Sequence, residues 1–244
     1  LCPDKKVLVP DLNAGCSLAD SCPADDFKKF VRNNPGYTVI SYVNTSAAVK
    51  AVTDVVVTST NARQIVESFP TEEKIIFGPD RNLGNYINSI TGRNMKLWDG
   101  ACHVHEEFSL EKILDLKKQY PDALILAHPE CKKVILMLAD KIGSTAALLK
   151  YATESSAKKF IVATESGILH EMKKSNPDKT FIPAPPNDST CACNECNFMR
   201  LNTMKKLYLT LKYELPEIKV DKDIADRAVL PIKKMLDISS KLGL

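Results

Sequence analysis

The sequence predicts an α/β fold made of three-layer α/β/α domains with parallel sheets. Short runs rich in β-branched residues alternate along the chain with amphipathic helical stretches, which is the pattern of βαβ units. Much of the chain also matches itself at an offset of 86 residues, as in SYVN starting at residue 41 and AHPE starting at residue 127. A repeat of this length indicates that one supersecondary unit was copied.

The predicted elements follow one another in the order strand, helix, strand. We expect buried parallel strands at 6–10, 39–42, 55–57, 75–77, 123–127 and 159–163. We expect helices at 26–33, 46–52, 61–68, 110–119, 131–138, 146–152, 197–213 and 222–242. Crossovers between parallel strands are right-handed, and in such sheets functional residues collect at the carboxyl ends of the strands.

The repeat divides the chain into four predicted parts. Residues 1–20 are the remnant of a first domain, 21–102 and 103–196 are the second and third domains, and 197–244 are helices that pack on the first domain. Because the first copy is incomplete, we expect an upstream segment of roughly 65 residues, judged from the repeat. We also expect that residues 1–244 alone bind iron poorly and are inactive.

Composition limits the possible functions. An apolar content of 44% and a charged content of 26% are ordinary for a soluble globular protein. The net charge of +3 gives no reason to expect nucleic acid or an anionic membrane as a partner, and no apolar run is long enough for a membrane span. Eight cysteines without a secretory signal pattern favour metal ligands over a disulfide framework. We therefore expect a cytoplasmic protein.

Three cysteine-bearing loops are the candidate metal site. Cys16 and Cys102 lie 86 residues apart, and Cys196 closes the next unit. Three thiolates leave one iron of a 4Fe–4S cluster open, and an open metal position acts as a Lewis acid. In the alternative, Cys191, Cys193 and Cys196 form a zinc or iron–sulfur site in a non-catalytic protein. An electron carrier would need a fourth cysteine ligand, and whether Cys191 and Cys193 form a regulatory disulfide stays open.

A second group of candidates lies at strand ends. His128 and Glu130 follow a strand and have the chemistry of a general acid, base or carbonyl polariser. Tyr42 and Asn44 occupy the matching positions in the other copy. The alternative for His128 is a buried histidine whose hydrogen bonds are satisfied.

Two hydroxyl-rich turns are candidate anion sites. Ser59 lies in TST, and Ser144 and Thr145 end GST; each turn follows a strand and opens a helix. Backbone N–H groups and the dipole at a helix N-terminus favour phosphate or carboxylate. The alternative is ordinary N-capping by a hydroxyl.

These motifs resemble those of the iron–sulfur-dependent quinolinate synthase A family. The resemblance rests on PDLNAGCSLAD, SYVN, TSTNA, WDGACHVHE, HPEC, GST and CNFM. It implies domains arranged around a pseudo-threefold axis, of which the first is incomplete here. It implies an enzyme of NAD biosynthesis that condenses iminoaspartate with dihydroxyacetone phosphate, and a functional coupling to L-aspartate oxidase.

The resemblance also implies roles for individual residues. The ligands of the 4Fe–4S cluster would be Cys16, Cys102 and Cys196. The catalytic residues would be Glu130, His128 and Tyr42. The residues that bind substrate would be Tyr42, Asn44, Ser59, His128, Glu130, Ser144 and Thr145.

Overall fold

Two four-stranded parallel sheets carry the fold in the computed structural model, which describes residues 1–2, 4–188 and 195–244. The first sheet has the strand order β2-β1-β3-β4. Its strands are β1 (Thr38–Tyr42), β2 (Val55–Val57), β3 (Ile75–Phe77) and β4 (Lys96–Leu97). The strands β1, β2 and β3 consist mostly of buried β-branched residues, as expected for strands covered on both faces.

The second sheet repeats this topology. Its order is β6-β5-β7-β8, for the strands β5 (Leu124–Ala127), β6 (Lys141–Ile142), β7 (Lys159–Ala163) and β8 (Thr180–Pro183). In both sheets the first strand of the copy lies between the second and the third, and all pairs are parallel. This arrangement confirms the predicted α/β class with parallel sheets.

The two copies of the repeat also share individual hydrogen bonds. The Oδ2 atom of Asp54 accepts the N–H of Val39 at 2.7 Å. In the other sheet, Oδ2 of Asp140 accepts the N–H of Ile125, also at 2.7 Å. Both pairs are related by the 86-residue offset. In each copy an aspartate that leads into the second strand therefore fixes the start of the first strand.

Helices connect and cover the strands. They are α1 (Ser17–Asp20), α2 (Ala24–Arg32), α3 (Ala47–Lys50), α4 (Ala62–Glu67), α5 (Arg81–Thr91), α6 (His103–Glu106), α7 (Leu110–Gln119), α8 (Lys133–Leu136), α9 (Thr145–Glu154), α10 (Ile168–Ser175), α11 (Met204–Tyr213) and α12 (Lys222–Lys241). A short 3-10 turn covers Met199–Leu201. In the part of the chain that the structure describes, no helix is both long and apolar enough to span a membrane.

The predicted strand at 6–10 is wrong. In this segment Leu8 makes only an isolated antiparallel bridge with Glu217, and a single bridge does not form a ladder. The sequence also did not indicate β4 and β6, which are two residues long, because so short a run shows no periodicity.

The described residues form two compact units. The first contains residues 1–81, 93–100 and 196–244, and the second contains 82–92 and 101–195. The four predicted domain boundaries stay a prediction. Within the first unit α12 packs against α3, β2 and α4, and Lys206 of α11 pairs with Asp11.

Each unit has its own apolar core. Phe27 and Ile76 are fully buried in the first unit, and Phe27 meets Trp98 edge-on with ring centroids 5.5 Å apart. In the second unit, Phe108 and Phe160 lie in separate apolar clusters. Burying one such side chain contributes about 1.5–3 kcal/mol, so these cores fix the strand ends that carry the polar residues.

Candidate functional site

The best-defined group of polar side chains lies at the carboxyl edge of the second sheet. His128 directly follows β5 and Thr164 directly follows β7, and the last residues of these strands, Ala127 and Ala163, are register partners. The register therefore places His128 and Thr164 side by side. Glu130 follows two residues later and is only 4% exposed.

Helix α6 brings two more side chains to this edge. Cys102 is its N-cap residue, and His105 follows three residues later, so the two share one face of the turn. The His105 ring lies 3.2 Å through Nε2 from Oγ1 of Thr164. Its Nδ1 lies 3.2 Å from Oε2 of Glu130. We call Cys102, His105, His128, Glu130 and Thr164 the Cys102 cluster.

The two imidazoles of the Cys102 cluster stack. The ring centroids of His105 and His128 are 4.8 Å apart, with 25° between the planes. The Glu130 carboxylate lies beside both rings, since its Oε1 is 3.8 Å from Nδ1 of His128. A buried carboxylate between two histidines is a site where protons can be held and moved.

Burial and the neighbours of His105 act on its basicity in opposite directions. Burial alone would lower the pKa of His105, but its polar contacts with Cys102 and Glu130 raise the pKa to about 10. The contact with Glu130 is an ion pair and not a regular hydrogen bond, because Nδ1 of His105 has no hydrogen-bond partner of good geometry. In the absence of a bound ion His105 is therefore a cation at neutral pH.

His128 has the opposite character. Burial lowers the pKa of His128 to about 4, although the Glu130 carboxylate acts to raise it. Its Nδ1 accepts the backbone N–H of Glu130 at 3.4 Å, which assigns the ring proton to Nε2. His128 is thus a neutral imidazole with a defined tautomer.

Three members of the Cys102 cluster have the donor atoms of a metal site. The Sγ of Cys102, a ring nitrogen of His105 and a carboxylate oxygen of Glu130 all lie within 4.8 Å of one another. Cys131, next to Glu130, is instead fully buried and directs its Sγ to the carbonyl of Ala163 at 3.3 Å.

Two members of the Cys102 cluster, His105 and Thr164, were not among the predicted site residues. The spacing of Cys102 and His105 within one helical turn is a signal that sequence reasoning could have used. Thr164 gave no such signal, because the 86-residue repeat aligns it with Gly78.

The predicted residues of the first unit lie at the ends of β1 and β2. Tyr42 is buried at the end of β1, whereas Asn44 is exposed in the following turn. The side chain of Lys50 donates to the carbonyl of Thr45 at 2.5 Å, which holds this turn. Burial lowers the pKa of Lys50 to about 8.

The TST turn of the first unit is shaped by the asparagine that follows it. Ser59 is half-buried between Thr58 and Thr60. The Oδ1 atom of Asn61 accepts the N–H of Thr58 at 2.7 Å, and its Nδ2 lies 3.2 Å from Oγ of Ser239 on α12. Ser59 is therefore not the residue that caps α4.

The GST turn opens α9 in the second unit. Ser144 is its N-cap residue, and Oγ accepts the N–H of Ala147 at 3.3 Å. Thr145 is exposed in the first turn. Ser144 thus caps α9, and its role in an anion site stays a prediction.

Cys16 and Cys196, the other two predicted ligands of a 4Fe–4S cluster, lie in the first unit. Cys16 is the N-cap residue of α1. A Cβ atom placed on Gly15 would lie 3.6 Å from the ring of Phe198, so the segments that carry Cys16 and Cys196 are in contact. Cys191 and Cys193 lie outside the described residues.

The chemistry of these cysteines fits an iron–sulfur cluster. In the part of the chain that the structure describes, Cys16, Cys102 and Cys196 are all half-buried thiols and not disulfides.

Fold and site together define an α/β protein in which a half-buried thiol, a buried imidazole and a buried carboxylate form the donor set of a metalloenzyme. A family model described as quinolinate synthetase A protein (NadA) matches residues 1–237. The quinolinate synthases of Thermosynechococcus vestitus and Chloroherpeton thalassium are each 55% identical over 237 residues, covering 97% of this chain and 74% of the relative. That of Nostoc punctiforme is 56% identical over 97% of this chain and 73% of the relative. The chain belongs to the NadA family.

Proposed function

We propose that the protein that carries these residues acts as a quinolinate synthase and condenses iminoaspartate with dihydroxyacetone phosphate, releasing phosphate and water. The observation that carries this proposal is the Cys102 cluster, which combines a thiol, a neutral imidazole and a buried carboxylate in a chain of the NadA family. The reaction needs proton transfers during imine formation and dehydration, and Glu130 and His128 offer groups of the required kind.

The cofactor that we propose is a 4Fe–4S cluster. Cys16, Cys102 and Cys196 would hold it, and when bound it supplies an iron that acts as a Lewis acid toward substrate oxygen. Support for this ligand set comes from the three half-buried thiols and from the contact between the Cys16 and Cys196 segments.

Glu130 is the proposed acid and base. As a carboxylate 4% exposed it is removed from bulk water, and its Oε1 and Oε2 are directed at different histidines. His128 is neutral and protonated on Nε2, so it would donate a hydrogen bond to a substrate oxygen without adding charge. Tyr42 would complete the catalytic group.

The remaining predicted residues would bind the anionic parts of the substrates. Tyr42 and Asn44 would orient a carboxylate. Ser59, Ser144 and Thr145 would hold phosphate or carboxylate groups, since they lie in the turns that lead into α4 and α9. We further propose that the protein is cytoplasmic and receives iminoaspartate from L-aspartate oxidase.

Cluster loading tests the proposal. We expect that Cys16→Ser, Cys102→Ser and Cys196→Ser each abolish uptake of iron and sulfide, whereas the exposed Cys2→Ser and the buried Cys131→Ala retain it. Iron and sulfide are quantified and the visible absorbance is recorded after anaerobic reconstitution. Quinolinate is assayed with the 244 residues and with the longest reading frame that contains them.

Two results would contradict the proposal. Full cluster content in Cys102→Ser would remove this cysteine from the ligand set. If both the 244-residue chain and the longest reading frame take up the cluster but make no quinolinate, the proposed reaction is excluded.

A further inference from the structure

We propose that Cys102, His105 and Glu130 form a mononuclear zinc site in the protein that lacks the cluster. All three donors belong to the second unit. The site requires neither Cys16 nor Cys196, which distinguishes it from the proposed cluster.

The donor set is that of zinc. Zn²⁺ takes cysteine sulfur, histidine nitrogen and carboxylate oxygen, and three protein ligands with one open position are common in its sites. A tetrahedral Zn²⁺ places such donors about 3.3–3.6 Å from one another. The separation of His105 Nδ1 and Glu130 Oε2 is 3.2 Å, and all three donors lie within 4.8 Å.

His105 is oriented as a ligand. It is 7% exposed, and its Nδ1 faces Glu130 but makes no hydrogen bond of good geometry. Nε2 on the other side of the ring lies 3.2 Å from Thr164 Oγ1. Histidines that bind metals regularly donate their second N–H to such an oxygen, which fixes the ring and the tautomer. Thr164 is therefore the outer support of the site.

Binding of Zn²⁺ at this site would release protons from its ligands. Zn²⁺ takes the thiolate of Cys102 and the neutral form of His105, so the protons of both groups pass to solvent. The negative charge of Glu130, now balanced by His105, would then be balanced by the metal.

The site has a consequence for the cluster, and this part rests on the proposed function. Cys102 cannot serve both metals at once. Zinc at this site would therefore remove one cluster ligand, and zinc and cluster would exclude each other.

Metal titration of the chain tests the zinc site. The chain is prepared reduced and free of metal, and Zn²⁺ is titrated against a chromophoric chelator. Co²⁺ replaces Zn²⁺ in a parallel titration, since thiolate-to-cobalt charge transfer reports sulfur ligation. We expect a single equivalent of either ion. His105→Gln should weaken binding by more than about 10-fold, and Thr164→Val by about 10-fold. Cys102→Ser should lose the charge-transfer band.

Matched variants separate this site from the cluster. Cys16→Ser and Cys196→Ser should bind Zn²⁺ with unchanged affinity, although we expect them to lose the cluster. Unfolding midpoints of every variant show that the fold is kept. X-ray absorption of the zinc protein should show one sulfur neighbour and otherwise nitrogen or oxygen. Each of three results would overturn the zinc site. The first is a loss of zinc affinity in Cys16→Ser equal to that in His105→Gln, and the second is a zinc ion with three sulfur neighbours. The third is an unchanged zinc affinity in a folded His105→Gln protein.

A competition experiment tests whether zinc and the 4Fe–4S cluster exclude each other. Prior loading with Zn²⁺ should slow reconstitution with iron and sulfide in the parent chain but not in His105→Gln. If no variant accepts a cluster under any condition, the proposed cofactor fails while the zinc titration still decides the zinc site.

Discussion

At the scale of residues, two adjacent histidines beside one buried carboxylate have different protonation states. Glu130 lies 3.2 Å from Nδ1 of His105 and 3.8 Å from that of His128. The nearer histidine gains a proton, with a pKa of about 10, while burial leaves the other neutral, with a pKa of about 4. Neighbouring groups with separated pKa values allow acid and base roles in one site.

The first prediction concerns this carboxylate. Glu130→Gln keeps the size of the side chain but removes its ability to accept a proton. We expect turnover to fall by roughly 10²–10⁴-fold, the usual contribution of a positioned acid or base, with the cluster content unchanged. Steady-state formation of quinolinate and the iron content are measured together. The exposed Glu111→Gln on α7 is the matched control, and a Glu130→Gln protein with nearly full turnover would exclude Glu130 as the catalytic group.

The sequence alone indicated several of these residues but not the whole group. His128 and Glu130 were predicted because they follow a strand, and strand ends are visible in a β-branched run. Their contact with His105 depends on the start of α6 at Cys102, which lies 26 residues earlier in the chain. Such long-range packing is not encoded in local periodicity. The proposed roles of Cys16, Tyr42, Asn44 and Ser59 likewise stay predictions.

At the scale of elements, the copied aspartates are a test of the repeat. Asp54 and Asp140 each accept the N–H of the second residue of a central strand, and both bonds measure 2.7 Å. Val39 and Ile125, which donate these bonds, are 3% exposed. Without the carboxylate, each N–H would be buried with one partner fewer.

The second prediction follows from these two bonds. Asp54→Ala and Asp140→Ala should each lower the free energy of unfolding by about 1–3 kcal/mol, the usual cost of a lost hydrogen bond to a charged group. The two losses should agree within their errors because the geometry is the same. Urea denaturation followed by circular dichroism measures both. Asp115→Ala is the control, since its ion pair with Lys118 is exposed and such pairs contribute little.

A large difference between the two aspartate variants would contradict the equivalence of the copies.

The elements themselves were largely predictable: the strands at 55–57, 75–77 and 159–163 and the helix at 110–119 have the predicted bounds. Those that were missed, such as β8, pair at a sheet edge where burial is incomplete, so their sequences lack the continuous apolar run of a central strand.

At the scale of the whole molecule, the first unit is assembled from distant parts of the chain. Its sheet is formed by residues 38–97, but α12 (residues 222–241) packs on β2 and α3. Ala228, Pro231 and Met235 are the buried residues of this helix. The sequence predicted α12 from its helical periodicity, but periodicity does not identify the surface on which a helix packs.

The third prediction tests this long-range contact. Ala228 is 6% exposed, so Ala228→Asp would bury a charge without a partner, which costs about 3–5 kcal/mol. Hydrogen exchange should rise most in β2 and α3, and the strands of the second sheet are the reference within the same sample. Leu230→Asp, at a position that is 61% exposed, is the control. Equal exchange in both variants would show that α12 does not stabilise the first sheet.

The discontinuity of the first unit also matters while the protein is being made. A ribosome has synthesised every residue of the second unit by residue 195, but 46 residues still have to be added before the last helix of the first unit ends at Lys241. At about 5–20 residues per second this takes roughly 2–10 s. During that interval Val55–Val57 lacks its covering helix on the nascent chain, so the face of this apolar strand that α12 later covers is open to water.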